Sequence, residues 1–189
     1  SLSVSGVRGE KLLDAQASLI RALEKAGRLN RAVEFLPSED EIAERRAARE
    51  GLSTPERAVL LAYSKMVLFD DLVKGTLIDD GYVARALVDY FPAELARRHA
   101  AVMPRHPLRR EIVATVVANA MINRTGSVFV HRMQEETGAT PDEVTRAFIL
   151  VRDIYGFEAL WGAIDALDNR VPSAVQAEML IEAGRLVLR

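Results

Sequence analysis

The sequence predicts an all-α fold, an irregular multi-helix domain of about eight to ten helices around one central apolar helix. Three observations predict it. Apolar residues recur at helical spacing through most of the chain, paired helix-capping residues occur three times at segment starts, and strand-like strict alternation is absent. With 189 residues and 49% hydrophobic content, the chain can bury a sizeable core as a single domain, 1–189, without help from a metal or disulfide.

The elements follow in order. Between Glu10 and Ala26, Leu12, Leu13, Leu19, Ile20 and Leu23 share one helical face, and Gly27 supplies a stop. The stretch "NRAVEFL" reads as a short helical piece ending at Pro37. Ser38 and Glu41 then form a reciprocal capping pair that opens a charged surface helix, which Gly51 closes. Ser53 and Glu56 repeat the pair, with Pro55 in the first turn, and open a long helix through Lys74. Its apolar residues Val59, Leu60, Tyr63, Met66, Val67, Phe69 and Leu72 occupy more than one face, which predicts burial on two sides.

Helices are next expected from Gly81 to Phe91 and from Ala93 to Met103, the first capped by Asp79 and Asp80. Pro104 and Pro107 make a rigid corner, and a lobe boundary is placed near 104–107. The segment "EIVATVVANAMIN" is nearly free of charge, as befits a central helix wrapped by others. Gly126 is a point of interruption and Gly138 an end. Thr140 and Glu143 form the third capping pair, before a helix over "PDEVTRAFILVRDIYG" and two closing helices over "FEALWGAIDALDN" and "VPSAVQAEMLIEAGRLVLR".

Composition narrows the chemistry. The net charge of −2 comes from acids and bases dispersed along the chain, so no basic field is present to attract nucleic acid or anionic lipid. The chain has no cysteine, which removes disulfides and thiolate catalysis and agrees with a cytoplasmic location. No apolar run reaches the roughly 20 residues of a membrane span, and the start lacks signal-peptide character. The chain begins at Ser1 rather than methionine, which fits a piece of a longer protein.

No glycine-rich dinucleotide fingerprint or phosphate loop is present, and His99, His106 and His131 fall in no ligand spacing. The adjacent carboxylates Asp70-Asp71, Asp79-Asp80 and Glu135-Glu136 read as caps and solvated faces, because neighbours on a helix point about 100° apart. Catalytic, cofactor-binding and metal-ligating residues are therefore expected to be absent. What remains is a polar stripe, Asn119 and Asn123 with Ser127, His131 and Gln134 if the helix runs on, and a cluster of Asp168, Asn169 and Arg170 with Asp165 at a helix end. Each has two readings: a binding face, or polar groups that bond neighbouring helices. The second predicts that Asn119 and Asn123 are buried and hydrogen-bonded across helices, and that Arg170 pairs with a carboxylate.

Taken together, "RAVEFLPSEDEIAERRAAREGLSTPERAVLLAYSK", "YFPAEL", "HPLRREIVATVVANAMINRTGSVFVHRMQEETGA" and "ALWGAIDALDNRVPSAVQ" resemble the C-terminal part of the large bacterial NAD-specific glutamate dehydrogenases. The resemblance runs in order from about Leu12 to the end. It implies a much longer parent chain that oxidatively deaminates L-glutamate to 2-oxoglutarate and ammonia with NAD. The catalytic lysine, catalytic aspartate and cofactor loop of that family have no counterpart here, so none is carried over. The expected role is a non-catalytic domain whose partners are the catalytic region of the same chain and neighbouring subunits of a homo-oligomer. An effector-sensing domain, with Asn119, Asn123 and His131 lining a pocket, is the alternative.

Overall fold

A computed structural model describes residues 9–187 of the chain. It is all-α, with no strand among the described residues. The described residues form ten α-helices: α1 (Gly9–Lys25), α2 (Glu39–Ala47), α3 (Thr54–Lys74), α4 (Ala86–Tyr90), α5 (Ala93–His99), α6 (Arg109–Thr125), α7 (Phe129–Thr137), α8 (Pro141–Ile154), α9 (Phe157–Asp165) and α10 (Ser173–Val187). Short 3₁₀ turns at Leu77–Asp79, Val83–Arg85 and Met103–Arg105 join the middle helices. Residues 188–189 of the expected last helix lie outside the described residues.

All three capping pairs form. Ser38, Ser53 and Thr140 each accept from the backbone N–H three residues on, and Glu41, Glu56 and Glu143 reach back to the N–H of the cap residue. Each pair satisfies two donors that a helix start would otherwise leave open. Glu56 does more. Arg45 of α2 grips its carboxylate with two parallel bonds of 2.6 and 2.9 Å, while Ser53 N–H donates to it at 2.6 Å, so one side chain starts α3 and fastens α2 to it.

The buried residues of α3 are Leu60, Ser64, Leu68 and Leu72, a stripe of period four, flanked by half-buried Val59, Tyr63, Val67 and Phe69. Two apolar clusters meet along this helix. One holds Leu13, Ala17, Leu19, Ile20 and Leu23 of α1 with Ile42 of α2, Leu60 of α3 and Val128. The other holds Leu68 and Leu72 with Val113, Ala114, Val117, Ala118, Met121 and Ile122 of α6, and extends to Phe148, Trp161 and Ala183. Leu77, Leu87, Met103 and Val113, from both sides of the proline corner, belong to this second cluster. Each fully buried leucine or isoleucine contributes about 1.5–3 kcal/mol by leaving water. The expected central helix is α6, which packs against α3, α4 and two of the 3₁₀ turns.

Four expectations are corrected. "NRAVEFL" forms hydrogen-bonded turns, not a helix, because Asn30 Oδ1 accepts from the N–H groups of Ala32 and Val33 and draws the backbone into a local turn. The second helix ends at Ala47 rather than Gly51, since Arg49 takes a left-handed conformation (φ 58°). The helix expected from Gly81 to Phe91 is a 3₁₀ turn followed by the five-residue α4; Asp80 does accept from Tyr82 N–H at 2.8 Å, as a cap would. The helix from Ala93 stops at His99, short of Met103.

Burial alone would raise the Glu56 carboxyl, but the Arg45 fork and the Ser53 hydrogen bonds outweigh it and hold it below the usual carboxylate range. Its folded value is therefore lower than its unfolded one. The resulting stability is fully present above the unfolded value of about 4.3 and is lost as pH falls through the lowered folded value. Glu56→Gln is expected to destabilise the domain by ~1–3 kcal/mol near neutral pH and to flatten its stability curve within that acid window. Urea titrations at a series of pH values measure both.

Candidate functional site

The predicted polar stripe does not survive folding as one face. Gly126 ends α6 with φ 93° and ψ 170°, a region essentially restricted to glycine, and α7 leaves at 86° to α6. Asn119 and Asn123 stay on α6, while His131 and Gln134 ride on α7 and face elsewhere. Asn119 is half-buried and Asn123 exposed, and neither side chain hydrogen-bonds another described residue. The expectation of two buried, interhelically bonded asparagines is thus corrected: the neighbouring helices supply no partner at these positions. Ser127 is buried at the break, and its carbonyl accepts from Ser64 Oγ of α3 at 2.8 Å.

His131 makes the interhelical contact that the asparagines do not. Its Nε2 lies 3.1 Å from Ser18 Oγ on α1, and Ser18 also donates to Glu135 at 3.2 Å. A hydroxyl beside an imidazole invites comparison with a hydrolytic relay. In such a relay the carboxylate orients the ring from the nitrogen opposite the nucleophile. Here Glu135 approaches the same Nε2, at 3.4 Å, so the trio is a tie between α1 and α7. Gln134 is half-buried beside it and Glu136 pairs with Arg132.

The Asp168-Asn169-Arg170 cluster lies in an exposed turn, where Asn169 takes φ 60°. Arg170 makes no ion pair with a described residue, contrary to expectation; Asp165 is instead held by Arg124 of α6 at 3.1 Å. The Arg124 guanidinium also lies over the Trp161 ring, 4.9 Å from its centroid. Sequence reading missed this pairing, because 41 residues separate its members and no local spacing announces it.

Two clefts concentrate the remaining polar groups. The first, about 590 Å³, lies between α3 and α6 and is lined by Met66, Val67, Phe69 and Ala118 with Arg28, Lys65, Asp70 and Asn119. Arg28 and Asp70 pair at its edge, whereas Lys65 makes no ion pair with another described residue. The second, about 760 Å³, opens between α4, α6, α8 and α9. Asp153 anchors its polar side: Arg152 Nε donates at 2.7 Å, Tyr82 Oη at 2.5 Å, and Arg85 lies 3.7 Å away with its guanidinium over the Tyr82 ring. Burial would raise the Asp153 carboxyl, yet these donors hold it below the usual range. A carboxylate so occupied is a poor general base. The paired carboxylates, read as caps and solvated faces, do more than that: Asp79 binds Arg109 and Arg110, Asp80 binds Arg146 besides its cap-like bond to Tyr82 N–H, and Asp71 is half-buried, where burial pushes it up.

Among the described residues no three His, Asp or Glu side chains converge closely enough to hold a metal ion. The described residues contain no strand, so they do not form the strand, glycine-rich turn and helix N-terminus that cradle a pyrophosphate in doubly wound folds.

The family described as "Glutamate dehydrogenase, C-terminal" matches residues 49–189. The chain is 42% identical over 170 residues, 90% of its length, to the NAD-specific glutamate dehydrogenase of Halomonas elongata. It is 39% identical over 186 residues (98% of its length) to that of Pseudomonas aeruginosa, and 33% over 188 residues (100%) to that of Mycobacterium tuberculosis. These stretches make up 10%, 12% and 12% of the relatives, so the chain spans about a tenth of their length.

The polar census gives a stability prediction. Thr145 is fully buried on α8 and its hydroxyl has no hydrogen-bond partner among the described residues. Thr145→Val, which removes that hydroxyl at constant shape, is expected to stabilise the domain by ~1 kcal/mol, whereas Asn119→Ala and Asn123→Ala stay within ~0.5 kcal/mol of the parent. Thermal melts of the three variants check the ranking; a large loss in either asparagine variant contradicts it.

Proposed function

We propose a docking role for this chain, which belongs to the glutamate dehydrogenase C-terminal family. It is a non-catalytic helical domain of a much longer, cytoplasmic NAD-dependent glutamate dehydrogenase. That enzyme converts L-glutamate, NAD and water to 2-oxoglutarate, ammonia and NADH, with cofactor and substrate held elsewhere in the polypeptide. The domain packs on the catalytic region and on neighbouring subunits of a homo-oligomer.

The observation that carries this reading is the apolar surface the domain leaves in water. Ile154 and Tyr155, at the end of α8, are 74% and 72% exposed, and Leu150, Leu160, Val175 and Met179 of α8, α9 and α10 are also exposed. Exposed apolar residues scattered singly are ordinary, but several on consecutive helices suit a surface that another body covers. The brevity of the chain beside its relatives agrees. Removing this segment from the long polypeptide is expected to reduce its assembly mass in analytical ultracentrifugation. Unchanged mass and unchanged melting would count against docking, and glutamate-dependent NAD reduction by the 189-residue chain alone would overturn its non-catalytic character.

The first cleft favours a second reading, because an ammonium (Lys65) and an amide (Asn119), neither paired with another described residue, share apolar walls there, as in a small-molecule site. An effector at a hundred times its dissociation constant would stabilise the domain by about 2.7 kcal/mol. A thermal-shift panel of amino acids and nucleotides tests this; a flat panel removes its support.

A further inference from the structure

The turn between α1 and α2 holds an aromatic side chain in water at some conformational cost. Phe35 is 88% exposed and takes φ 52°, a left-handed conformation that glycine or asparagine adopts far more readily than a bulky residue. Val33, on the same turn, is 66% exposed.

The turn around them is nonetheless tightly fixed. Asn30 Oδ1 accepts from Ala32 and Val33 N–H, Glu34 N–H donates to Asn30 O at 3.1 Å, and Leu36 N–H donates to Arg31 O at 3.0 Å. Arg31 reaches forward to Pro37 O at 3.0 Å and binds Glu24 of α1 and Glu39 of α2. Tyr63 of α3 donates to Glu34 at 2.6 Å. Leu29 and Leu36, buried at the two ends, pin the turn to the core. Three helices therefore immobilise a backbone whose exposed side chains contribute little to the isolated domain.

Strain that the surroundings over-determine points to a use, and a rigid aromatic presented in water loses little entropy when it docks. The geometry points to Phe35, with Val33 beside it, as a preformed hydrophobic anchor that inserts into an apolar socket on the preceding part of the same long polypeptide. This rests on the docking role proposed above and gives it a specific contact. The occupant follows from two facts: the relatives are roughly ten times longer than this chain, and the turn lies N-terminal to residues 49–189, the part that matches the C-terminal family.

Hydroxyl-radical footprinting with mass spectrometry tests it on the 189-residue chain and on the long polypeptide. In the chain alone, Phe35 is expected to oxidise rapidly, with buried Phe148 as the slow internal standard. In the long polypeptide Phe35 should fall to the rate of Phe148. Protection of Ile154 and Tyr155 without protection of Phe35 sinks the anchor and leaves docking standing; protection of none of them sinks both. If the chain alone sediments as a dimer with Phe35 already protected, a second copy is the occupant and the assignment is wrong. Phe35→Gly separates anchoring from folding: the isolated chain should melt no lower than the parent, because glycine suits the left-handed backbone, while the long polypeptide loses assembly. A lower melting midpoint in the isolated chain would assign Phe35 to the fold instead.

Discussion

The break at Gly126 is the constraint on which the rest of the fold depends. A helix continued straight through residues 109 to 137 would carry its apolar residues along one axis. The 86° bend redirects them. Immediately after it, Val128 enters the N-terminal cluster and Phe129 enters the larger one, so consecutive residues serve two cores. The carbonyl of Ser127, freed from the helix ladder by the bend, receives the hydroxyl of Ser64 at the point on α3 where the clusters meet. From there α7 travels to α1 and contacts Ser18 through His131 and Glu135. Only a residue without a side chain holds this backbone angle without strain, which makes one glycine the corner of the architecture.

A second polar joint secures the far end of α3. The Asp142 carboxylate, near the start of α8, accepts from Thr76 and Leu77 N–H at 2.8 and 3.0 Å, and Arg110 of α6 donates to the carbonyls of Val73 and Gly75. A Cβ at Gly75 would meet that carboxylate, so a side chain there would push Asp142 away from its two N–H partners. Three helices thus converge on a stretch of backbone that has just left a helix and needs partners for its open groups. The same competition between burial and hydrogen bonding runs through the whole domain. At Glu56 and Asp153 the donors win and the carboxyl stays easily ionised; at Asp71, with no such donors, burial wins and pushes the group up.

What was legible in the sequence follows from range. The capping pairs at 38 and 41, 53 and 56, and 140 and 143 act across three residues, so their spacing alone revealed them. The long helices were equally plain, because apolar periodicity accumulates over several turns. Short-range rules failed over residues 81–91, which have helical composition but form 3₁₀ and α pieces just after Asp80, a residue held by Arg146 of α8, 66 positions away. The polar stripe was misread for a related reason. Gly126 is legible as an interruption, but the bond that secures the bend, Ser64 Oγ to the Ser127 carbonyl, joins residues 63 apart and no local spacing announces it. Tyr82 with Asp153, 71 residues apart, could not be found by spacing at all.

The distribution of satisfied and unsatisfied groups supports the proposed docking role. An active site concentrates polar groups that are incompletely paired and poised to change partners. Here the long-range polar clusters, Asp153 with Tyr82 and Arg152, Glu56 with Arg45, Arg31 with Glu24 and Glu39, are occupied by one another and fix helices in place. The groups left without obvious use are mainly apolar and outward: Phe35 on a rigid turn, and Ile154 and Tyr155 at a helix end. Under the proposed docking role, the occupied ion pairs hold the helices in place, and the outward apolar side chains they present are the surface that another body covers.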